Sequence, residues 1–272
     1  FMKHNLIILA CLLIALSLIV AICIQLRRKK NRYKVEYYIN YLLYKLGIRK
    51  TIARFYIVRQ HALDCNESLE LVKHPKILYN EATLEFPVLL RKTVAKKIYK
   101  VADSLPDGVF LKIYEATRSR ILIYQAWKNE EEQLAKEFPQ MGRAELLAKV
   151  NTKICNPKIA MNGHDTGGAV DVALCDAEGN DFDFGTKYHE KNTNVPLTEE
   201  QKKNRMMLCD YMKTQKFINN PNRWWHFSYG DKAWAAYSGK NQGAFYGAVE
   251  KEFDNIGFVR VVKTEIKTVN IK

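Results

Sequence analysis

The sequence predicts an α+β fold, a small antiparallel sheet flanked by helices, preceded by an apolar N-terminal transmembrane helix. Three observations carry this expectation. Strand-like and helix-like segments are mixed without the β-α-β regularity of a parallel sheet. Two strand-like segments, around Ala169–Leu174 and Trp224–Tyr229, lie on either side of a helix that opens with the capping box Thr198-Glu-Glu-Gln201. Leu6 to Ile24 is an apolar run broken only by Ser17, and a helix of that length rises about 28 Å, enough to cross a bilayer core.

The elements follow in order. Residues 1–26 are expected to anchor the chain in a membrane. Residues 27–60 hold eleven Lys/Arg against the single acid Glu36. Arg27 to Lys34 follows the apolar run directly, with only Lys3 on its other side, so the positive-inside rule places the C-terminal part in the cytoplasm as a single-pass protein. The same basic residues would attract anionic lipid. Residues 35–60 read as one helix carrying Tyr37, Tyr38, Tyr41 and Tyr44, which suits either an interfacial helix or one packed on the domain. Residues 61–250 have globular composition and form the main domain. Within them Val88–Leu105 has helical periodicity up to the turn Pro106-Asp107-Gly108. Val109–Ala116 reads as a strand, Ser119–Phe138 as a helix with Ser119 as N-cap, and Gly142–Val150 as a short helix. The capped helix runs to about Lys216, and Lys232–Tyr237 is helical. The tail, residues 251–272, reads as a hairpin rich in Val and Ile.

Composition narrows the function. The net charge of +14 belongs mostly to residues 27–60, and residues 61–272 carry 31 Lys/Arg against 28 acids. A nucleic-acid partner needs a basic face on the folded domain, so none is expected. Cys65, Cys155, Cys175 and Cys209 have no C-x-x-C spacing; they read as small buried or free thiols rather than zinc ligands, and their disulfide state stays open.

Two stretches carry chemistry: Asn162-Gly-His164-Asp-Thr-Gly167-Gly-Ala169-Val-Asp171 and Asn222-Arg223-Trp-Trp-His226-Phe-Ser228-Tyr-Gly-Asp231. A strand presents alternate residues on one face, so His226 and Ser228 point together while Trp225 and Phe227 enter the core. The glycines beside His164 allow a bend that turns it towards Asp171. Two imidazoles and a carboxylate, with a position left open, suit a catalytic zinc.

These motifs resemble the zinc D-alanyl-D-alanine dipeptidases of the VanX type, within the zinc D,D-peptidases. That family carries Ser-x-His-x-x-Gly-x-Ala-x-Asp and Glu-x-Trp-His followed by aromatic-Ser-Tyr-Gly-Asp. It also carries an arginine after a Tyr-Glu strand, here Tyr114-Glu115-Ala-Thr-Arg118. Asp183-Phe-Gly-Thr186 and Asn204-Arg205 resemble two further segments. The likeness covers about residues 75–245 in the family's order. It implies one zinc per chain on His164, Asp171 and His226, with Arg118 stabilising the developing oxyanion, and a D-Ala-D-Ala or peptidoglycan-derived peptide as ligand. A surface ion pair with Glu115 is the alternative for Arg118.

Three positions depart from the pattern. The family's general base is the glutamate three residues before the last histidine, and this chain has Arg223 there. A guanidinium stays protonated and cannot shuttle a proton. Asn162 stands in place of the usual serine, and His189 where the family often has an aspartate for the substrate's amine. The implied function is a membrane-anchored zinc D,D-dipeptidase, with Asp165 or Glu190 replacing the base. The alternative is a zinc-binding pseudo-peptidase that holds a peptide or partner without turnover.

Overall fold

The computed structural model describes residues 17, 29–80, 88–118, 120–153, 163–190, 192–239 and 243–249 of the chain. It divides into two compact units at Tyr56/Ile57. In the first unit, α1 (Lys29–Lys45) ends where Gly47 takes a positive φ of 72° and Ile48 N–H returns to Leu43 O at 3.0 Å. A glycine past the last turn closes a helix in this way. The expected single helix over 35–60 is therefore two: α1, then α2 (Arg54–Val58), separated by a non-helical stretch. Tyr37 and Ile52 are buried, and the Tyr33 hydroxyl donates to Tyr56 O.

The transmembrane expectation needs correction. Among the described residues no helix is long and apolar enough to cross a membrane. The apolar run at residues 6–24 lies, Ser17 excepted, outside the described residues. The structure thus gives no basis for a single-pass membrane protein. The tail expected as a hairpin and the Ser119 cap also lie outside the described residues.

The second unit contains two sheets. A two-stranded antiparallel sheet pairs β1 (Leu69–Leu71) with β3 (Leu89–Arg91). A five-stranded sheet adds β2 (Ile77–Tyr79), β4 (Phe110–Glu115), β5 (Ala169–Cys175), β6 (Ile218–Asn220) and β7 (Arg223–Ser228), in the order β2-β4-β5-β7-β6. β2 runs parallel to β4, and the remaining neighbours are antiparallel. The sheet that carries the site is mixed, where a purely antiparallel one was expected. The helices of this unit are α3 (Lys92–Ser104), α4 (Arg120–Glu137), α5 (Arg143–Lys153), α6 (Glu199–Thr214) and α7 (Lys232–Ser238).

Packing follows from the patterns. α3 buries Val94, Ala95, Ile98, Val101 and Ala102, one stripe of a 3.6-residue period. These join Leu111, Ile113, Val170, Val172, Leu208, Met212 and Phe227 in one core. Each fully buried Val, Leu or Ile contributes about 1.5–3 kcal/mol. All seven residues of β5 are buried. The capping box at Thr198 and Gln201 is formed at the start of α6. Trp127, Leu134, Leu146 and Val150 make a separate small cluster from α4 and α5.

A candidate zinc site on the central strands

His164 opens a single 3₁₀ turn, His164–Thr166, that leads into β5. Gly163 before it packs so closely that a Cβ there would overlap Asp231 Oδ2 and lie 2.8 Å from Ala169 Cβ. Gly167 closes the turn at φ 71°, a conformation that favours glycine. Arg91 braces the turn from β3: its buried Nε donates to Thr166 O at 2.8 Å and its backbone N–H to Gly167 O at 3.0 Å. The Arg91 guanidinium also meets the Asp64 carboxylate at 3.1 Å and the carbonyls of Glu67 and Gly247. On the sheet, Asp171 of β5 pairs in register with His226 of β7 on one side and with Glu115 of β4 on the other.

These placements bring three donors together. Asp171 Oδ1 lies 2.7 Å from His226 Nδ1 and 3.2 Å from His164 Nε2, and the two nitrogens are 3.2 Å apart. All three residues are buried. His164 Nδ1–H donates to Ala116 O at 2.7 Å, which leaves Nε2 with its lone pair facing the cluster. Tyr188 O–H donates to Asp171 Oδ2 at 3.1 Å, leaving Oδ1 for the cluster. His226 Nε2 lies 3.3 Å from Ser228 Oγ. A carboxylate oxygen and two imidazole nitrogens converging at such distances need a proton or a metal cation among them. A tetrahedral zinc with bonds of about 2.0–2.2 Å separates its ligand atoms by about 3.3–3.6 Å; the two 3.2 Å edges approach this, and the 2.7 Å edge between Asp171 and His226 is shorter. The set fits zinc, one ion per chain.

Without metal, protons fill that role. Burial pulls the His164 imidazole down, but the adjacent Asp171 carboxylate outweighs it and raises the group to about 9. Burial pushes Asp171 up, and the two histidines overcome this and hold it well below the usual carboxylate range. Asp231, buried at the N-cap of α7, accepts from Trp234 N–H at 2.7 Å, and burial raises its carboxyl above the ordinary value.

The other expected residues are placed as follows. Arg118 donates its backbone N–H to His164 O at 3.1 Å, while its guanidinium is ion-paired with Glu115. Arg223 begins β7, is exposed, and forms no ion pair among the described residues. His189 is exposed, has a positive φ of 64°, and stacks on Tyr188 with ring centres 4.0 Å apart. Asn162 lies outside the described residues. Asp165 is buried in the 3₁₀ turn, and Glu190 is exposed with Oε2 accepting from Lys187 N–H. Glu115, which sequence reasoning gave only as a partner for Arg118, has a carboxylate oxygen within 4.8 Å of ligand atoms of Asp171 and His189. Tyr188 and Arg91 were also missed; no motif marks either, and only the fold brings them to the site. A cavity of about 690 Å³ adjoins the site, with Tyr188, Tyr114, Phe184, Trp224, Lys187 and Glu190 in its wall. Cys65, Cys175 and Cys209 are free thiols.

A buried set of two histidines and one aspartate on an α+β sheet offers the donor chemistry of a mononuclear zinc site. The chain belongs to the D-ala-D-ala dipeptidase family of peptidases, which it matches over residues 86–243, more than half its length. It is 32% identical to the D-alanyl-D-alanine dipeptidase of Synechocystis sp. over 108 aligned positions, covering 32% of this chain and 44% of that relative. The chain thus spans less than half the length of the curated relative it matches. Two solved structures are looser likenesses. One is a zinc-bound mutant of the vancomycin-resistance D,D-pentapeptidase VanY from a VanB-type cassette, at 14% identity, 64% of this chain, 88% of that chain and a TM-score of 0.38. The other is VanYB with D-alanine-D-alanine, at 13% identity, 74% of this chain, 99% of that chain and a TM-score of 0.38. At that level of similarity they add no weight to the assignment.

Proposed function

We propose that this chain is a zinc D,D-peptidase that hydrolyses D-alanyl-D-alanine or related peptidoglycan peptides. The observation that carries the reading is the convergence of His164, Asp171 and His226 on one buried point, within the segment that matches the family. Bound zinc supplies Lewis-acid polarisation of a carbonyl and acidification of water. The chain's own residues do the rest. Ala116 O and the Tyr188 hydroxyl fix the orientation of His164 and Asp171. Trp225 and Phe227 close the core side of β7 to water. Arg118, steadied by Glu115, offers its positive charge to the oxygen on which negative charge develops. The Glu115 carboxylate, with an oxygen within 4.8 Å of a ligand atom of Asp171, is the group proposed to accept a proton at this site.

One observation favours a second reading. Arg223 stands at the position where the family places its general base, and its guanidinium cannot accept a proton. On that reading the site binds its peptide without turnover. The two readings separate in one assay: D-Ala-D-Ala hydrolysis by the zinc-loaded chain beside its Arg223→Glu variant. Turnover by the natural chain supports the peptidase. Turnover only by Arg223→Glu, at a gain of about 10²–10⁴-fold, sinks it in favour of the binding protein.

A further inference from the structure

Arg91 is a fully buried cation that the chemistry above does not use. Its guanidinium meets acceptors from three parts of the chain. Nε donates to Thr166 O at 2.8 Å, Nη1 to Glu67 O, and Nη2 to both Asp64 carboxylate oxygens at 3.1 Å and to Gly247 O at 3.2 Å. A guanidinium holds five N–H donors in one plane and can serve such a spread of acceptors at once, whereas an ammonium is a compact point charge. Asp64 balances the buried charge. The backbone N–H of Arg91 adds a bond to Gly167 O at 3.0 Å. Side chain and backbone of one residue thus grip Thr166 and Gly167, in the turn that His164 opens.

The outlying partners of Arg91 are themselves joined. Ala244 N–H donates to His61 O at 2.7 Å, Leu63 N–H to Ala244 O at 3.0 Å and Cys65 N–H to Phe245 O at 2.9 Å, so residues 61–65 lie along 244–245. The Tyr246 hydroxyl donates to Glu67 Oε2, and Glu67 Oε1 accepts from Thr93 N–H at 2.9 Å. The buried Tyr246 ring lies 5.4 Å from the Arg91 guanidinium carbon. The same ring touches the ends of both ligand-bearing strands. A Cβ at Gly168, just before β5, would lie 2.9 Å from Tyr246 Cδ2, and one at Gly230, just after β7, would overlap the ring. Val249 N–H donates to Asp165 O at 2.9 Å, inside the His164 turn. Residues 61–67 and 244–249 therefore form a clasp that reaches every element carrying a metal donor. Both segments lie outside residues 86–243, the part that matches the family.

We infer, on the zinc reading above, that Arg91 is a positioning residue for the metal site. It ties the clasp of residues 61–67 and 244–249 to the His164 turn, so the hold on zinc depends on segments outside the family match. Ala116 O orients the His164 ring, and Arg91 fixes the backbone from which that ring projects. When the turn loosens, His164 Nε2 moves relative to Asp171 and His226. Groups that hold metal ligands in place typically change metal affinity by about 10–100-fold.

The test compares the full-length natural chain with Arg91→Lys, Asp64→Asn and Thr198→Ala. Zinc affinity is read by competition with a chromophoric chelator, donor geometry by the visible spectrum of the Co(II)-loaded chain, and stability by thermal unfolding of the metal-free chain. Arg91→Lys keeps the charge but loses the fork, and is expected to bind zinc about tenfold more weakly. Asp64→Asn, at a half-exposed partner, loses less, up to about fivefold. Both are expected to change the intensity of the cobalt bands. Thr198→Ala lowers the unfolding temperature and leaves zinc affinity and cobalt spectrum as they are. Natural affinity and spectrum in folded Arg91→Lys or in Asp64→Asn overturn the inference, and Asp64→Asn decides alone if Arg91→Lys does not fold. An equal loss of affinity in Thr198→Ala also overturns it, because general stability would then be the cause. A natural chain that binds neither metal sinks the zinc reading and the inference together, whereas a metal-binding natural chain with unaltered variants sinks the inference alone.

Discussion

His164, Asp171 and His226 act as a unit because each is fixed from outside the triangle they form. Ala116 O holds His164, the Tyr188 hydroxyl holds Asp171, and Ser228 Oγ lies beside His226. At neutral pH the metal-free site holds a proton, since Asp171 raises His164 to about 9 against the pull of burial. Zinc must displace that proton. Apparent zinc affinity is therefore expected to rise about tenfold per pH unit below the His164 value and to flatten above it. Calorimetry in buffers of different ionisation heat reads the released proton directly, and an affinity that does not change between about pH 6 and 8 contradicts the placement. The convergence of His164, Asp171 and His226 was legible in the sequence because residue type, spacing and flanking glycines all pointed to it. Arg118 was legible as a residue, and its ion pair with Glu115 was one of the two settings the sequence offered. What was not legible is the register shift in β4 between Ile113 and Glu115, which sets Glu115 opposite Asp171 and which no pattern in residues 110–118 announces.

At the scale of elements, the site depends on how one short turn meets one strand. Gly163→Ala places a methyl group against Asp231 and Ala169, and neither neighbour can retreat from a packed interior without displacing His164. The expected outcome is a folded chain with weakened zinc binding; an unchanged zinc affinity would remove the turn from the account. Thr198→Ala, by contrast, breaks the capping box of α6 and should lower stability by about 1 kcal/mol while zinc content stays the same, as denaturant titration would show. That helix was legible because its cap is written locally. The strands β1, β2 and β6 were not, being three residues each, too short for a period to emerge. β3 was absorbed into the helix that follows, because Val88-Leu89-Leu90 continues the apolar pattern of α3 without a break. The parallel pairing of β2 with β4 is a long-range contact that local sequence does not encode.

For the molecule as a whole, α+β class and family were within reach of the sequence, since the motifs occur in order along most of the matched region. The membrane assignment was not secured by the same means: it rested on an apolar run alone, and the described helices include none able to span a bilayer. The donor triad, its supporting hydrogen bonds and the adjoining cavity all belong to the unit that begins at Ile57. A chain starting at Ile57 should therefore retain zinc, and loss of metal from that fragment would show that the site depends on residues before it. His164, Asp171 and His226 are expected to hold a single zinc. Elemental analysis of the purified chain beside His226→Ala, with circular dichroism to confirm that the variant is folded, measures this. One zinc per natural chain and none in the variant is the expected result; full zinc content in folded His226→Ala, or a well-folded natural chain that takes up no zinc, would contradict this ligand assignment.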